Sequence, residues 1–314
     1  VTQQPSFLSP RVLIPFLTIT LIWGSTWFVI RGQIAEVPAS WSVTYRFLLA
    51  GLAMLAVARI YGQRIRFTGR ELGFAALVGS LQFTFNFNLV YEAEHHITSG
   101  LVAVVFALLV VPNALLGRIF LGDRFTRRFL IGAALAMSGV ALLFVHEVRA
   151  DPAGASDTFL GVGLTLAAVM TASVANVVQA GKRARALPMM SLIGWSMLFG
   201  TAINALWSWG SVGPPVLGTS LGFYFGLLYL SLAASALTFT LYFGLIRIIG
   251  PGKAGFSNVL IPIIAMTIST LFEGYRWSPL AASGGVIVMI GMIIALAPPR
   301  ASAPGARGQT GHQA

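Results

Sequence analysis

Residues 97–121 read ITSGLVAVVFALLVVPNALLGRIFL, an apolar run with one charged side chain, Arg118, close to its end. A helix needs about 20 apolar residues to cross a bilayer, and a strand of this length would be exceptional in a globular protein. The run contains Pro112. A second run, 254–272, reads AGFSNVLIPIIAMTISTLF and carries Pro262, 150 positions later. Similar stretches recur on either side. Spans are predicted at 12–30, 41–61, 71–91, 97–121, 127–145, 159–180, 188–210, 217–246, 254–272 and 277–297. The connections are short. The longest, Asp151 to Asp157, is Pro- and Gly-containing and reads as a water-exposed linker.

Composition agrees with this reading. Of 314 residues, 56% are hydrophobic and 9% charged, whereas a soluble domain carries roughly 25% charged residues because its surface faces water. The mean hydropathy is +0.82. The absence of cysteine excludes disulfides and thiolate metal sites. The first apolar run continues past Trp23 and Trp27 with no small-residue cleavage site behind it, so it reads as a span and not a signal peptide. From Pro298 the chain turns to Pro, Gly, Ala and Gln, and residues 298–314 are expected to form a disordered cytoplasmic tail.

The net charge of +11 does not indicate nucleic acid, because the basic residues are scattered between apolar spans. Their distribution reports topology. With the N-terminus inside, 16 of the 20 Lys and Arg residues fall on inner segments. The positive-inside rule then places both termini in the cytoplasm. Seven of the nine acids, including Glu36, Glu92, Glu94 and Glu273, fall outside.

The offset of 150 separates more than the two prolines. Pro38 and Pro188 each open a span, and Asp123 and Glu273 each follow a proline-bearing one. Downstream, Thr126, Gly132 and Gly139 match Ser278, Gly284 and Gly291, with two extra residues in the second copy. These marks indicate a duplication, with a first five-helix repeat over 1–150 and a second over 151–297. Five is odd, so the second copy must enter the membrane upside down. The fold class is therefore an all-α integral membrane protein with ten transmembrane helices in two inverted five-helix repeats. Such folds bind solutes near the bilayer midplane between the repeats and work by alternating access.

Polar residues at membrane depth are the candidate site. Gln82 and Asn86 share a helical face in the third span, with Phe83 and Phe87 on the neighbouring ridge. An amide face flanked by aromatics suits a polar solute with an apolar side chain; the other reading is glue between helices. Thr26 and Asn176 lie 150 apart on the first helix of each repeat, and Asn258 precedes Pro262. Trp23 is expected in the pocket and Trp27 in the pocket or an interfacial belt; Thr26 is a candidate substrate-binding residue with Asn176 and Asn258, its other reading being packing. Pro112 and Pro262 interrupt helix hydrogen bonding and read as hinges or as static kinks. Arg46 reads as an anchor that snorkels outward in preference to a substrate clamp. Glu92, Glu94, His95 and His96 read as a solvated rim turn, and Asp123 and Glu273 as rim residues on opposite faces. Gly132, Ala136 and Gly139 read as a seam of close helix approach.

No predicted span has an acid near its middle, which argues against a deep carboxylate relay and against cationic substrates. No nucleophile, base and orienter share one plausible pocket, so an enzyme is not expected. The histidines are too dispersed for a metal cluster.

Together Trp23-Gly24-Ser25, Tyr45-Arg46-Phe47-Leu48-Leu49-Ala50, the proline-bearing fourth spans leading to Leu121-Gly122-Asp123-Arg124 and Leu271-Phe272-Glu273-Gly274, and the Gly-rich fifth spans resemble the drug/metabolite transporter superfamily. The similarity is to its EamA-type branch, which includes the YddG-type amino-acid exporters, and covers about residues 12–297. The Glu92–His96 segment departs from the aliphatic and basic turn common in relatives. The resemblance implies a multi-pass protein of a bacterial inner membrane that exports amino acids or similar metabolites. The cavity would be lined by spans one, three, four, six, eight and nine. It implies no cofactor; the partners are a small-molecule substrate and membrane lipid, and a monomer suffices. A drug exporter and a channel are the competing expectations.

Overall fold

The computed structural model describes residues 8–122, 126–249 and 257–296. The expectations for Asp123 and for the tail beyond Pro298 lie outside these residues. Every regular element among them is helical. Ten helices correspond to the predicted spans: α1 (Pro10–Ile34), α2 (Ala39–Ile60), α3 (Gly69–His96), α4 (Ser99–Leu121), α5 (Arg127–Ala150), α6 (Ala155–Ala180), α7 (Met189–Val212), α8 (Leu221–Tyr242, continuing to Ile249), α9 (Ser257–Phe272) and α10 (Pro279–Leu296). Nine of the described helices are long and apolar enough to cross a membrane, and the described part of α9 has 16 residues. Many large apolar side chains, such as Leu206, Phe225 and Leu271, point outward. That surface is unsuited to water and suited to lipid.

The repeat marks occupy equivalent structural positions. Pro38 and Pro188 are the N-caps of α2 and α7. Thr126 and Ser278 precede α5 and α10, where their hydroxyls accept from the amides of Phe129 and Ala281. These side chains satisfy helix-end donors that apolar surroundings would otherwise orphan. Packing follows the same symmetry. The pairs α2–α7, α4–α9 and α5–α10 each join equivalent helices of the two repeats, while α1–α9 is mirrored by α6–α4 and α3–α6 by α8–α1. The α5–α10 contact is the small-residue seam expected from sequence. A Cβ on Gly139 would meet the Gly284 carbonyl oxygen at 2.6 Å, and one on Gly284 would meet the Gly139 carbonyl at 2.8 Å. Backbone lies directly on backbone there, which only glycine permits.

One feature is invisible in the sequence pattern. The middle of α3, Ser80–Asn86, and the middle of α8, Tyr229–Leu237, are wound as π-helix. The two segments start 149 residues apart, one in each repeat. A π-turn is a poorer helix than the α-form and recurs mainly at functional positions. Both copies carry it in the third helix of the repeat, beside the central contacts.

α3 also runs five residues past its predicted end. The Glu92–His96 segment completes that helix; Glu92 and His95 are exposed, as a solvated rim requires, but Glu94 is not. Glu94 is 1% exposed, because it continues the buried face of Val90 and Tyr91.

Candidate functional site

The third helix of the first repeat supplies the polar face. Asn86 is 1% exposed and its Oδ1 has no hydrogen-bond partner among the described residues. The same holds for the buried Gln82 Oε1, one turn earlier. Trp27 Nε1 on α1 and Ser173 Oγ on α6 are two further buried polar atoms without a partner. Helices α1 and α6 both pack against α3, and α4 touches all three. Buried polar atoms normally find partners, because leaving one unmade costs about 1–3 kcal/mol. Four such atoms, all uncharged, lie on α3 and on two helices that pack against it, and they keep bonding capacity that the folded chain leaves unused.

Trp27 is therefore turned inward. Its ring packs on Phe106 of α4 at 5.4 Å between centroids, which removes the interfacial-belt reading. Asn176 on α6 donates to Asn113 Oδ1 on α4 at 3.3 Å. Trp23 lies against the other repeat. Its indole N–H donates to the Ala234 carbonyl in the π-segment of α8 at 3.1 Å, and its ring meets Phe239 and Tyr242. Phe83 is 3% exposed and packs on Phe47 at 4.9 Å. Thr26 spends its hydroxyl on the Trp23 carbonyl of its own helix at 2.7 Å, as packing requires. Pro262 is buried within α9. Pro112 follows a 3-10 turn, Ala107–Leu109, in α4. Without an N–H, Pro112 cannot donate to the Leu108 carbonyl, which accounts for the irregular winding just before it.

Two sequence expectations need correction. Asn258 is exposed in the first described turn of α9, where Ser257 and Val259 take the buried positions. It is not on the buried face of α9. Arg46 is not a snorkelling anchor, being 4% exposed. Its Nη1 donates to the Tyr91 hydroxyl at 3.2 Å, and its guanidinium lies over the rings of Phe47 and Phe87 at 5.1 and 4.8 Å. A hydroxyl and two aromatic faces hold the cation inside the bundle.

Some amides on the same helices do act as glue. Asn204 of α7 is fully buried, donates to the Ser40 carbonyl at 2.6 Å and to Thr44 Oγ1 at 2.8 Å, and accepts from Asn88 at 2.5 Å. This junction ties α7 to α2 and α3, and it contrasts with the unmet Gln82 and Asn86. Among the described residues no three His, Asp or Glu side chains gather as a metal site requires.

Comparison with known proteins agrees with this geometry. A solved crystal structure superposes with a TM-score of 0.64 at 18% identity, covering 91% of this chain and 96% of that one. The inner membrane transporter YedA of Escherichia coli (strain K12), itself described as uncharacterized, is 28% identical over 91% of this chain and 92% of its own length. A probable amino-acid metabolite efflux pump of Salmonella typhimurium is 24% identical, over 88% of this chain and 92% of its own. The model of the EamA-like transporter family matches twice, over residues 11–145 and again over 159–297. The chain belongs to the EamA-like transporter family.

Proposed function

We propose that this protein is a secondary transporter that exports amino acids or similar small metabolites across a bacterial inner membrane by alternating access. The observation that carries the proposal is that Trp27 Nε1, Gln82 Oε1, Asn86 Oδ1 and Ser173 Oγ are buried with no partner among the described residues. A zwitterionic solute stripped of water needs hydrogen bonds at both end groups, and an unpaired polar group costs roughly 2–7 kcal/mol. Amides serve both signs, since each has a donor and an acceptor end. Trp27, with Phe106 beside it, offers an apolar wall for the side chain. The relatives named as an inner membrane transporter and an amino-acid metabolite efflux pump support the same substrate class and location.

In this reading the two halves, 1–150 and 151–297, rock against each other with both termini cytoplasmic. The π-segments of α3 and α8 and the prolines at 112 and 262 absorb the change, since the π-segments and the 3-10 turn before Pro112 depart from regular α-winding and a proline such as Pro262 cannot donate a helix hydrogen bond. The test is counterflow in proteoliposomes against a panel of radiolabelled amino acids. Saturable exchange of at least one supports the reading. No exchange of any amino acid, with protein shown to be folded and inserted, refutes amino acids as the substrate class.

A further inference from the structure

A charged cluster lies two helical turns beyond Asn86, at the end of the bundle where α3 finishes and α4 begins. It holds two guanidinium groups and two carboxyl groups. Arg31 approaches Glu273 at 3.8 Å and donates to the Ile97 carbonyl at 3.3 Å. Glu273 accepts from the Ser99 amide at 3.2 Å, from the Ser99 hydroxyl at 2.9 Å and from the Ser269 hydroxyl. It is thereby fixed to the N-terminus of α4, where the helix dipole favours an anion. Further out, His96 pairs with Asp157 of α6 at 3.3 Å.

The other two members are different. Glu94 is 1% exposed and neither of its carboxyl oxygens has a hydrogen-bond partner among the described residues. Arg46 is 4% exposed and its Nε is unmet. Arg46 is held against Tyr91, three residues before Glu94 on α3, yet no ion pair joins Arg46 to Glu94, although a pair is the usual way to offset the burial of opposite charges. Each keeps free hydrogen-bonding capacity. Glu94 also continues the spacing of Gln82, Asn86 and Val90, four residues apart, toward this end of α3.

We propose that Glu94 and Arg46 form an open clamp for a zwitterion, with Glu94 taking the ammonium and Arg46 the carboxylate of an α-amino acid passing between the amide face and this end of the bundle. The clamp rests on the export reading above and adds that the substrate carries both free end groups. Such a site rejects blocked analogues, because a missing end group leaves one buried charge unanswered.

The experiment is counterflow of L-phenylalanine and the rest of the amino-acid panel in phosphatidylcholine vesicles, whose headgroups offer no primary ammonium to Glu94. N-acetyl-L-phenylalanine and L-phenylalaninamide serve as competitors. In the unmutated protein both blocked analogues are expected to compete at least about tenfold more weakly than L-phenylalanine or the best-exchanged amino acid. Glu94→Gln is expected to raise KM for the free amino acid while narrowing its advantage over the N-acetyl analogue. Arg46→Gln is expected to narrow its advantage over the amide, and Glu94→Asp to restore part of the loss. A merely structural role would lower transport of all three compounds together. Equal competition by blocked and free forms in the unmutated protein overturns the clamp even if the variants do not fold. So does an unchanged KM in folded Glu94→Gln and Arg46→Gln. Absence of amino-acid counterflow in the unmutated protein refutes amino acids as the exported class, and the clamp with it.

Discussion

Two buried asparagines on neighbouring helices provide a paired perturbation with opposite expected outcomes. Asn204 makes three side-chain hydrogen bonds, to Ser40, Thr44 and Asn88. Interhelical bonds in membrane proteins average about 0.6 kcal/mol each and reach about 1.7, so Asn204→Ala should lower stability by roughly 2–5 kcal/mol. Asn86 is equally buried, but its Oδ1 has no partner. Removing an orphaned acceptor relieves a cost of about 1–3 kcal/mol, which offsets the packing lost on truncation. The stability of Asn86→Ala should therefore stay within about 1 kcal/mol of the original. Its substrate affinity should fall by about 1–3 kcal/mol, or roughly fivefold to a hundredfold. Stability is read by sodium dodecyl sulfate titration in mixed micelles followed by circular dichroism. Affinity is read from the concentration dependence of counterflow. The reasoning is refuted if Asn86→Ala unfolds like Asn204→Ala while binding is unchanged.

Three further perturbations test other levels of the account. Gly139→Leu should part α5 from α10 and cost more than the ~1–3 kcal/mol of ordinary overpacking, since the obstruction is the Gly284 backbone; Gly163→Ala, with nothing within 4 Å of its Cβ, should be neutral or mildly stabilising in the same titration. Glu36 accepts from the amides of Thr219 and Ser220 and from the Ser220 hydroxyl, and the Ser220 hydroxyl above all holds its carboxyl below the ordinary value of 4.5. A depressed folded value stabilises the 36–220 link above the unfolded value and loses that stabilisation as pH falls through the folded one. Amide protection at 219–220 should thus be constant above pH 4.5 and fade below it; fading on the alkaline side instead would contradict the sign. Because the chain has no cysteine, single cysteines at Gln63 and Asp151 are unambiguous reporters, and they should label from opposite faces of the membrane. Labelling from one face would overturn the topology read from the basic residues.

Much of the fold was legible because duplication leaves marks at positions where geometry restricts the residue. Pro38 and Pro188 are capping positions, Thr126 and Ser278 satisfy helix-end amides, and Gly139 and Gly284 sit where a Cβ cannot fit. The π-segments leave no such mark, since winding depends on packing against α6, α7 and α1 more than on local residue types. Arg46 lies close enough to a span end to snorkel and Glu94 lies beyond the predicted end of its span, and neither position reveals which face the residue occupies. Glu94 shares its face with Val90 and Tyr91, and Tyr91 in turn supplies the hydroxyl that draws Arg46 inward. The inward face of α3, followed to His96, carries Tyr91 and Glu94, whereas Arg46 on α2 is buried through a tertiary contact that its own helix does not mark. The distinction between Asn86 and Asn204 was beyond sequence, because it rests on which partners the neighbouring helices bring within reach.

The central claim, that the amide face lines a path open to each side in turn, is tested most directly by a single cysteine at Gln82, whose amide oxygen is buried and unmet in the folded protein. A membrane-impermeant thiol reagent applied to inverted or right-side-out vesicles should modify Gln82→Cys from either face, and an exchanged amino acid should protect it. Resistance from both faces under exchange conditions would show that this face is packing and that the path runs elsewhere.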